Sequence, residues 1–403
     1  MKATELRIPP MIKILLVMEG KTTAVSYYRQ IVPHEYLCRT DSTFTCCKLL
    51  GEVDKTTGVM YLAELDRLTD DELKQFQIVS FLRTVSLKGS PVSTKEKIER
   101  LHRLGCKVIF DIDDYWELPK THHYYQKNID TESTENTLDA ITYADWVTTT
   151  TVHFASLISP LNANVTVLPN CIDLDDSQFT IRNIPSERVR FGWIGGIFHK
   201  SDIESIRNTF VLLGDWTRNK DIKDKYQLCL GGFGANQEYI DIEKFFTNNY
   251  KNLSKDYVDY LQQTTPLAEH ISYNQPYRRL WGTDIWNYAD LYNQIDVALA
   301  PLVDEPFNNC KSELKLIEAG MMKKAVIASD CLPYNTIIRH RENGLLVKPI
   351  RNMIDWYVAI RRLTKEKNMR EDMAEQLHQD IKEKFNIADH TLTRAQLYKR
   401  LCE

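Results

Sequence analysis

Val189-Arg190-Phe191-Gly192-Trp193-Ile194-Gly195-Gly196 is an almost unbroken apolar run that stops on paired glycines. Its length suits one strand buried on both faces. The glycines suit a sharp exit into a helix, or a backbone that must come close to a ligand. Tyr226–Leu230, followed by Gly231, Gly232 and Gly234, repeats the pattern. The chain has 403 residues and only 15 glycines, about half the roughly 7% of an average protein. Six of those 15 therefore stand behind two strands. Turn chemistry alone explains either cluster, and neither is GxGxxG, so a dinucleotide fingerprint is not met.

Working outward, the same alternation of short apolar runs and helical stretches covers both sides. Downstream come Asp296–Ala300, Ala325–Ala328 and Leu345–Val347. Upstream come Ile12–Met18, Gln77–Leu82, Lys107–Phe110, Trp146–Thr150 and Val165–Leu168. Ser93-Thr94-Lys95-Glu96 predicts a capping box for a helix with Ile98, Leu101 and Leu104 on its apolar face, ended by Gly105. Repeated βα alternation predicts parallel sheets covered by helices. The text turns polar around Ile181–Glu187, which includes Pro185. The fold class is therefore α/β: two Rossmann-like, doubly wound domains, residues 1–185 and 186–380, facing a cleft. Ligands of such sheets bind beyond the strand C-termini.

Composition narrows the class. Hydrophobic residues make 43% and charged residues 26%, which excludes a disordered, collagen-like or disulfide-scaffold chain. A net charge of −4 advertises neither nucleic acid nor an anionic membrane. The nine cysteines are scattered without a CxxC pair, which fits reduced thiols better than zinc or disulfides. The N-terminal apolar run lacks the length and cleavage site of a signal peptide, and no run reaches about 18 apolar residues. A cytoplasmic protein is expected, with peripheral association at the inner face of a membrane left open.

Lys311-Ser312-Glu313-Leu314-Lys315-Leu316-Ile317-Glu318 follows the strand at 296–300. Ser312 reads as an N-cap, and Lys311, Lys315 and Glu318 then fall at i, i+4 and i+7 of one helical face. A helix N-terminus with two lysines forms an anion site, and a glutamate one turn deeper could accept from a ribose diol. A solvated face with an ion pair is the plainer alternative. Gly20-Lys21-Thr22-Thr23 follows the first strand but lacks the upstream glycine of a Walker motif, so it reads as a loop lining the cleft.

These pieces together resemble the retaining glycosyltransferases of the GT-B fold, family-4 type (glycosyl transferases group 1). The resemblance is most specific over Tyr288–Val347. It rests on Asp296–Leu302, Lys311-Ser312 with Lys315 and Glu318, Ala325–Ser329, Pro333-Tyr334 and Asn343–Val347. Gly192–Gly196 with His199 and Asp202, Arg83, and Tyr27-Tyr28-Arg29 with Pro33 are also similar. The resemblance implies a nucleoside diphosphate sugar as co-substrate, with no cofactor and no metal required. It implies donor binding by Gly20, Lys21, Gly195, Gly196, His199, Lys200, Lys311, Ser312, Leu314, Lys315 and Glu318. Glu318 would take the ribose, and the lysines the diphosphate. Arg29, Arg83, His122 and His123 would lie on the acceptor side. A last helix from about Ile381 to Cys402 would cross back to the N-terminal domain. Many members carry two glutamates with seven residues between them; here Cys310 occupies the first position.

Asp111-Ile112-Asp113-Asp114 ends the strand at 107–110 and admits three readings. It imitates a dehalogenase-type phosphatase motif, in which Asp111 and Asp113 would act on a phosphate ester. It also spells DxD, a metal site of another glycosyltransferase fold. On the GT-B resemblance, Asp113, with Asp114 beside it, faces the donor sugar as the catalytic carboxylate and works opposite Lys315. An acidic turn is the bland alternative. The acceptor hydroxyl could belong to a glycan, a lipid-linked molecule or modified DNA, and a binding-only relative would turn nothing over.

Overall fold

The computed structural model describes residues 11–20, 22–51, 65–86, 90, 92–248, 253–263, 274–348 and 353–403. Among these residues, two six-stranded sheets form, and every strand pair is parallel. The first holds β1 (Ile12–Met18), β2 (Phe44–Leu50), β3 (Ile78–Leu82), β4 (Lys107–Asp111), β5 (Trp146–Thr149) and β6 (Val165–Val167), in the order β2-β1-β3-β4-β5-β6. The second holds β7 (Val189–Ile194), β8 (Tyr226–Phe233), β9 (Tyr277–Trp281), β10 (Val297–Ala300), β11 (Ala325–Ser329) and β12 (Leu345–Val347), in the order β12-β11-β10-β7-β8-β9. Each sheet is wound outward in two directions. The first reverses between β1 and β3, the second between β7 and β10. A crevice opens at the strand C-termini at each reversal.

Two strands escape the apolar-run criterion for physical reasons. β2 is an edge strand that is buried only at Phe44 and half-buried or exposed from there on, so its sequence is mixed. β9 reads Tyr-Arg-Arg-Leu-Trp, yet Arg279 is buried because Glu243 takes its guanidinium at 2.8 and 2.6 Å. An arginine paired in this way fits inside a sheet, but it hides the strand from any hydrophobicity count.

A π-turn over Tyr27–Ile31 leads into α1 (Val32–Thr40). α2 (Thr94–Arg103) opens on the expected capping box, with Ser93 accepting from Glu96 N and the Glu96 carboxylate accepting from Ser93 N. It ends at Gly105, whose φ of +83° only glycine adopts without strain. In the second half, α3 (Leu314–Met321) packs under β11 and against α4 (Lys367–Lys384). A single helix from 381 to 402 does not form. α4 stops at Lys384, Asn386 caps a new start by accepting from Ala388 N, and α5 runs Ile387–Cys402. This last helix does cross back: Ala395, Leu397 and Tyr398 pack with Ile12, Ile14 and Leu37 of the first half. Ile172 seals the crossing, donating to Phe385 O at 2.8 Å and accepting from Ile387 N at 3.0 Å. Among the described residues, no helix is long and apolar enough to cross a membrane.

Candidate active site

The reversal point of the second sheet collects most of the singled-out residues. Gly195 and Gly196 leave β7, and the loop after β10 leads to α3. Lys315, in the first turn of α3, reaches across and donates to Ile194 O at 2.7 Å. A Cβ on Gly195 would stand 2.7 Å from that ammonium, so glycine is what lets the lysine head rest on the strand end. Among the described residues Lys315 forms no ion pair. Desolvation pulls its pKa down to about 8, against the favourable charges of Glu318 and Asp202. Lys311 places its ammonium 3.4 Å from His199 Nδ1. That nitrogen also lies 2.8 Å from Asp202 Oδ2, and Asp202 Oδ1 accepts from Val303 N and Asn308 Nδ2 at 3.0 Å each. Desolvation and the two lysines push His199 down to about 3, so at neutral pH it is a neutral imidazole whose Nδ1–H points at Asp202.

One turn deeper, Glu318 is buried at 4% exposure. Its Oε1 accepts from the Tyr28 hydroxyl and its Oε2 from the Tyr292 hydroxyl, each at 2.9 Å. Burial raises its pKa, with the two hydroxyls and Lys315 opposing.

Several expectations for this segment need correction. Ser312 is not the helix cap: α3 starts at Leu314 with Glu313 at its cap position, and Ser312 Oγ accepts instead from Asn170 Nδ2 at 2.9 Å. Lys311 therefore precedes the helix and meets Lys315 through the loop's fold, not through helical spacing. Lys200 turns toward Asp241, 3.4 Å away, and not toward Lys311. Leu314 offers an apolar side chain packed on the core of the second half. Cys310 is fully buried in the core of the first half, so its thiol does not stand in for a sugar-facing glutamate.

The reversal point of the first sheet is built differently. Arg83 leaves β3 with a left-handed backbone, φ 61°, a conformation that costs a non-glycine residue about 1–3 kcal/mol. Its N–H donates to Asp111 O, and its guanidinium grips Asp113 at 2.5 and 2.9 Å and Asp114 at 2.6 Å. Burial raises the Asp113 carboxyl, but Arg83 wins and holds it below the ordinary range. Beneath lies a second pair: Arg29 donates to both oxygens of Asp111, at 2.9 and 2.8 Å, and to Leu168 O. Arg29 is 1% exposed, so it braces the cleft floor and does not face an acceptor. Asp111 is equally buried and also accepts from Thr148 Oγ1 at 2.6 Å. It has no free oxygen for a phosphatase's nucleophilic attack. Asp111 and Asp113 each answer an arginine, which also removes the DxD cation site. Gly20 stands two residues past β1 and is buried; Lys21 lies outside the described residues.

His122 and His123 do reach the cleft. The His122 ring meets Phe307 of the second half edge-on at 5.2 Å, and His123 lies 6.0 Å from Phe198. Burial and Lys311 lower the His122 pKa. Sequence reading missed what completes Glu318. Tyr28 is 290 positions away from it, and no spacing rule connects them. The only trace was the Tyr27-Tyr28-Arg29 string.

Residues 260–366 match the family model of the glycosyl transferases group 1. No curated protein matches the sequence. Solved structures share the architecture over nearly the whole chain. A sucrose-phosphate synthase from Thermosynechococcus elongatus is 14% identical with a TM-score of 0.63, covering 97% of this chain and 99% of its own. A glycosyltransferase from Rickettsia africae is 13% identical with a TM-score of 0.62, covering 98% and 99%. The Anabaena protein HepE, solved with UDP, is 12% identical with a TM-score of 0.59, covering 97% and 100%. The two sheets form the GT-B fold of glycosyltransferases.

Proposed function

We propose that this chain, whose residues 260–366 belong to the glycosyl transferases group 1 and whose sheets form the GT-B fold, transfers a sugar from a nucleoside diphosphate sugar to an acceptor hydroxyl. The transfer retains anomeric configuration and needs no metal. One observation carries this reading: Lys311, Lys315 and the glycine exit of β7 converge at a sheet reversal, with a buried glutamate one turn deeper on the same helix. The lysines, unpaired with carboxylates among the described residues, and the start of α3 suit a diphosphate. Glu318 suits a diol. HepE was solved with UDP and with UDP-glucose, which makes UDP-sugars the first donors to try.

The chemistry follows from charge placement. As the bond to the anomeric carbon breaks, negative charge grows on the diphosphate, where the two ammonium groups stabilise it most. Asp113, kept ionised by Arg83, is a weak base and has both oxygens occupied, so it orients and does not deprotonate. The departing phosphate oxygen then takes the acceptor's proton, and no protein nucleophile is needed. Closure of the cleft keeps water from competing.

The test is a transfer and hydrolysis assay over a panel of UDP-, GDP-, ADP- and dTDP-sugars, run with and without chelator, with the product anomer assigned by NMR. Activity that survives chelation with the anomer kept is expected; activity lost to chelator sinks the metal-free claim, and an inverted product sinks retention. Glu318→Ala should weaken donor binding about 10- to 100-fold, as loss of hydrogen bonds to a charged group does. Unchanged affinity removes Glu318 from the site.

A further inference from the structure

Glu318 is already full. Its two oxygens accept one hydroxyl each, from Tyr28 and Tyr292, at the same distance of 2.9 Å. A ribose diol would offer the same pair of donors to a carboxylate. The two tyrosines come from opposite halves. Tyr292 precedes β10, whereas Tyr28 belongs to the π-turn of the first half and inserts into the core of the second. Tyr28 is 3% exposed and Tyr292 2%, so the two rings shield the carboxylate from solvent on both sides. Burial and the charge of Glu318 push the Tyr28 hydroxyl well above its usual pKa, which keeps it a donor.

Neighbouring contacts hold the insertion in place. Tyr27 stands edge-on to Tyr28 at 4.8 Å and to Trp286 of the second half at 4.9 Å. Its hydroxyl donates to Asp176 Oδ2 at 2.6 Å and is also met by Gln178 Nε2. The lysine nearest the glutamate is likewise satisfied internally, by Ile194 O.

We propose that Tyr28 is an internal plug: its hydroxyl occupies the diol position on Glu318, so the donor binds only after the first half withdraws Tyr28 from the second. This rests on the donor site proposed above. It makes domain separation an obligatory step before donor entry. The apparent affinity is then reduced by the fraction of molecules in which the plug is out. Removing the hydroxyl lifts that reduction without touching any group assigned to the donor.

The experiment is calorimetry of UDP, GDP and ADP, and of 2′-deoxy-UDP, which lacks a complete diol, with wild type, Tyr28→Phe and Tyr28→Ala. Circular dichroism confirms folding; if the alanine variant does not fold, the near-isosteric phenylalanine variant carries the test. The proposal expects Tyr28→Phe to bind one ribonucleoside diphosphate about tenfold tighter than wild type. It expects a clearly smaller gain for the deoxy ligand. Equal affinity of wild type and variants overturns the plug but leaves the donor site standing. Weaker binding by Tyr28→Phe also overturns it, because Tyr28 would then contact the ligand. If no folded form binds any of the ligands, the donor site itself falls.

Discussion

The two sheet reversals face each other and differ in how charge is balanced. In the first half the carboxylates at the end of β4 are paired with arginines: Asp111 with Arg29, and Asp113 and Asp114 together with Arg83. In the second half two lysines have no carboxylate partner among the described residues, and the nearby imidazole is neutral at pH 7. A closed set of ion pairs holds geometry but has little left to offer an anion. Unpaired cations at a helix start are stabilised by an anion that the chain does not supply. One fold therefore provides a rigid wall and a receptive one, and the difference lies in a handful of side chains at equivalent strand ends.

The sharpest way to break this contrast is to remove the receptive charge. Lys315→Ala should lower transfer about 10²- to 10³-fold, near 3–4 kcal/mol in the transition state, as loss of a positioned donor to a developing anion does. Thermal stability should hold or rise, because a desolvated cation is lost. If kcat is unchanged in a steady-state assay, the second half is not the receptive wall.

The rigid wall should fail in the other direction. Arg83→Ala leaves Asp113 and Asp114 without their partner and should cost about 2 kcal/mol of stability, between the values for exposed and for buried ion pairs broken from one side. Affinity for a nucleoside diphosphate should stay within about twofold. A urea titration beside a binding isotherm reads both numbers. A stable variant that had lost the nucleotide would mean that Arg83 belongs to the donor and not to the wall.

These differences were unequally visible in the sequence. The receptive side is written locally: a strand, a glycine pair, two lysines and a glutamate within short stretches, so β7 and β12 are read with their observed bounds. The helix carrying Lys315 and Glu318 was also legible, although its start was placed one residue early because Ser312 looks like a cap and pairs elsewhere. The rigid side is not written locally. Arg29 and Asp111 are 82 positions apart, and Arg83 and Asp113 are 30 apart. Composition shows four charged residues and not that they neutralise one another, so Arg29 passed for an acceptor-side group. Tyr28 was harder still, since only docking of the two halves brings it to Glu318.

The smallest expected effect concerns Glu313, the residue between the lysines whose side chain has joined neither wall. It is 7% exposed, its Oε2 meets no donor among the described residues, and burial raises its pKa from 4.5 to about 7. In the unfolded chain the carboxyl ionises near 4.5, whereas in the folded chain it holds its proton until about 7. Between those values the folded state binds the extra proton. Stability therefore falls as pH rises from 4.5 to 7 and levels off above. The slope is at most about 1.4 kcal/mol per pH unit. Glu313→Gln removes the titration and keeps the shape, so its stability relative to wild type should climb by about 1.4 kcal/mol between pH 5.5 and 6.5. Paired urea titrations at the two pH values measure this directly. A difference that does not change with pH would show that Glu313 is ionised in the fold and has found a cation, placing it with the paired carboxylates of the rigid wall.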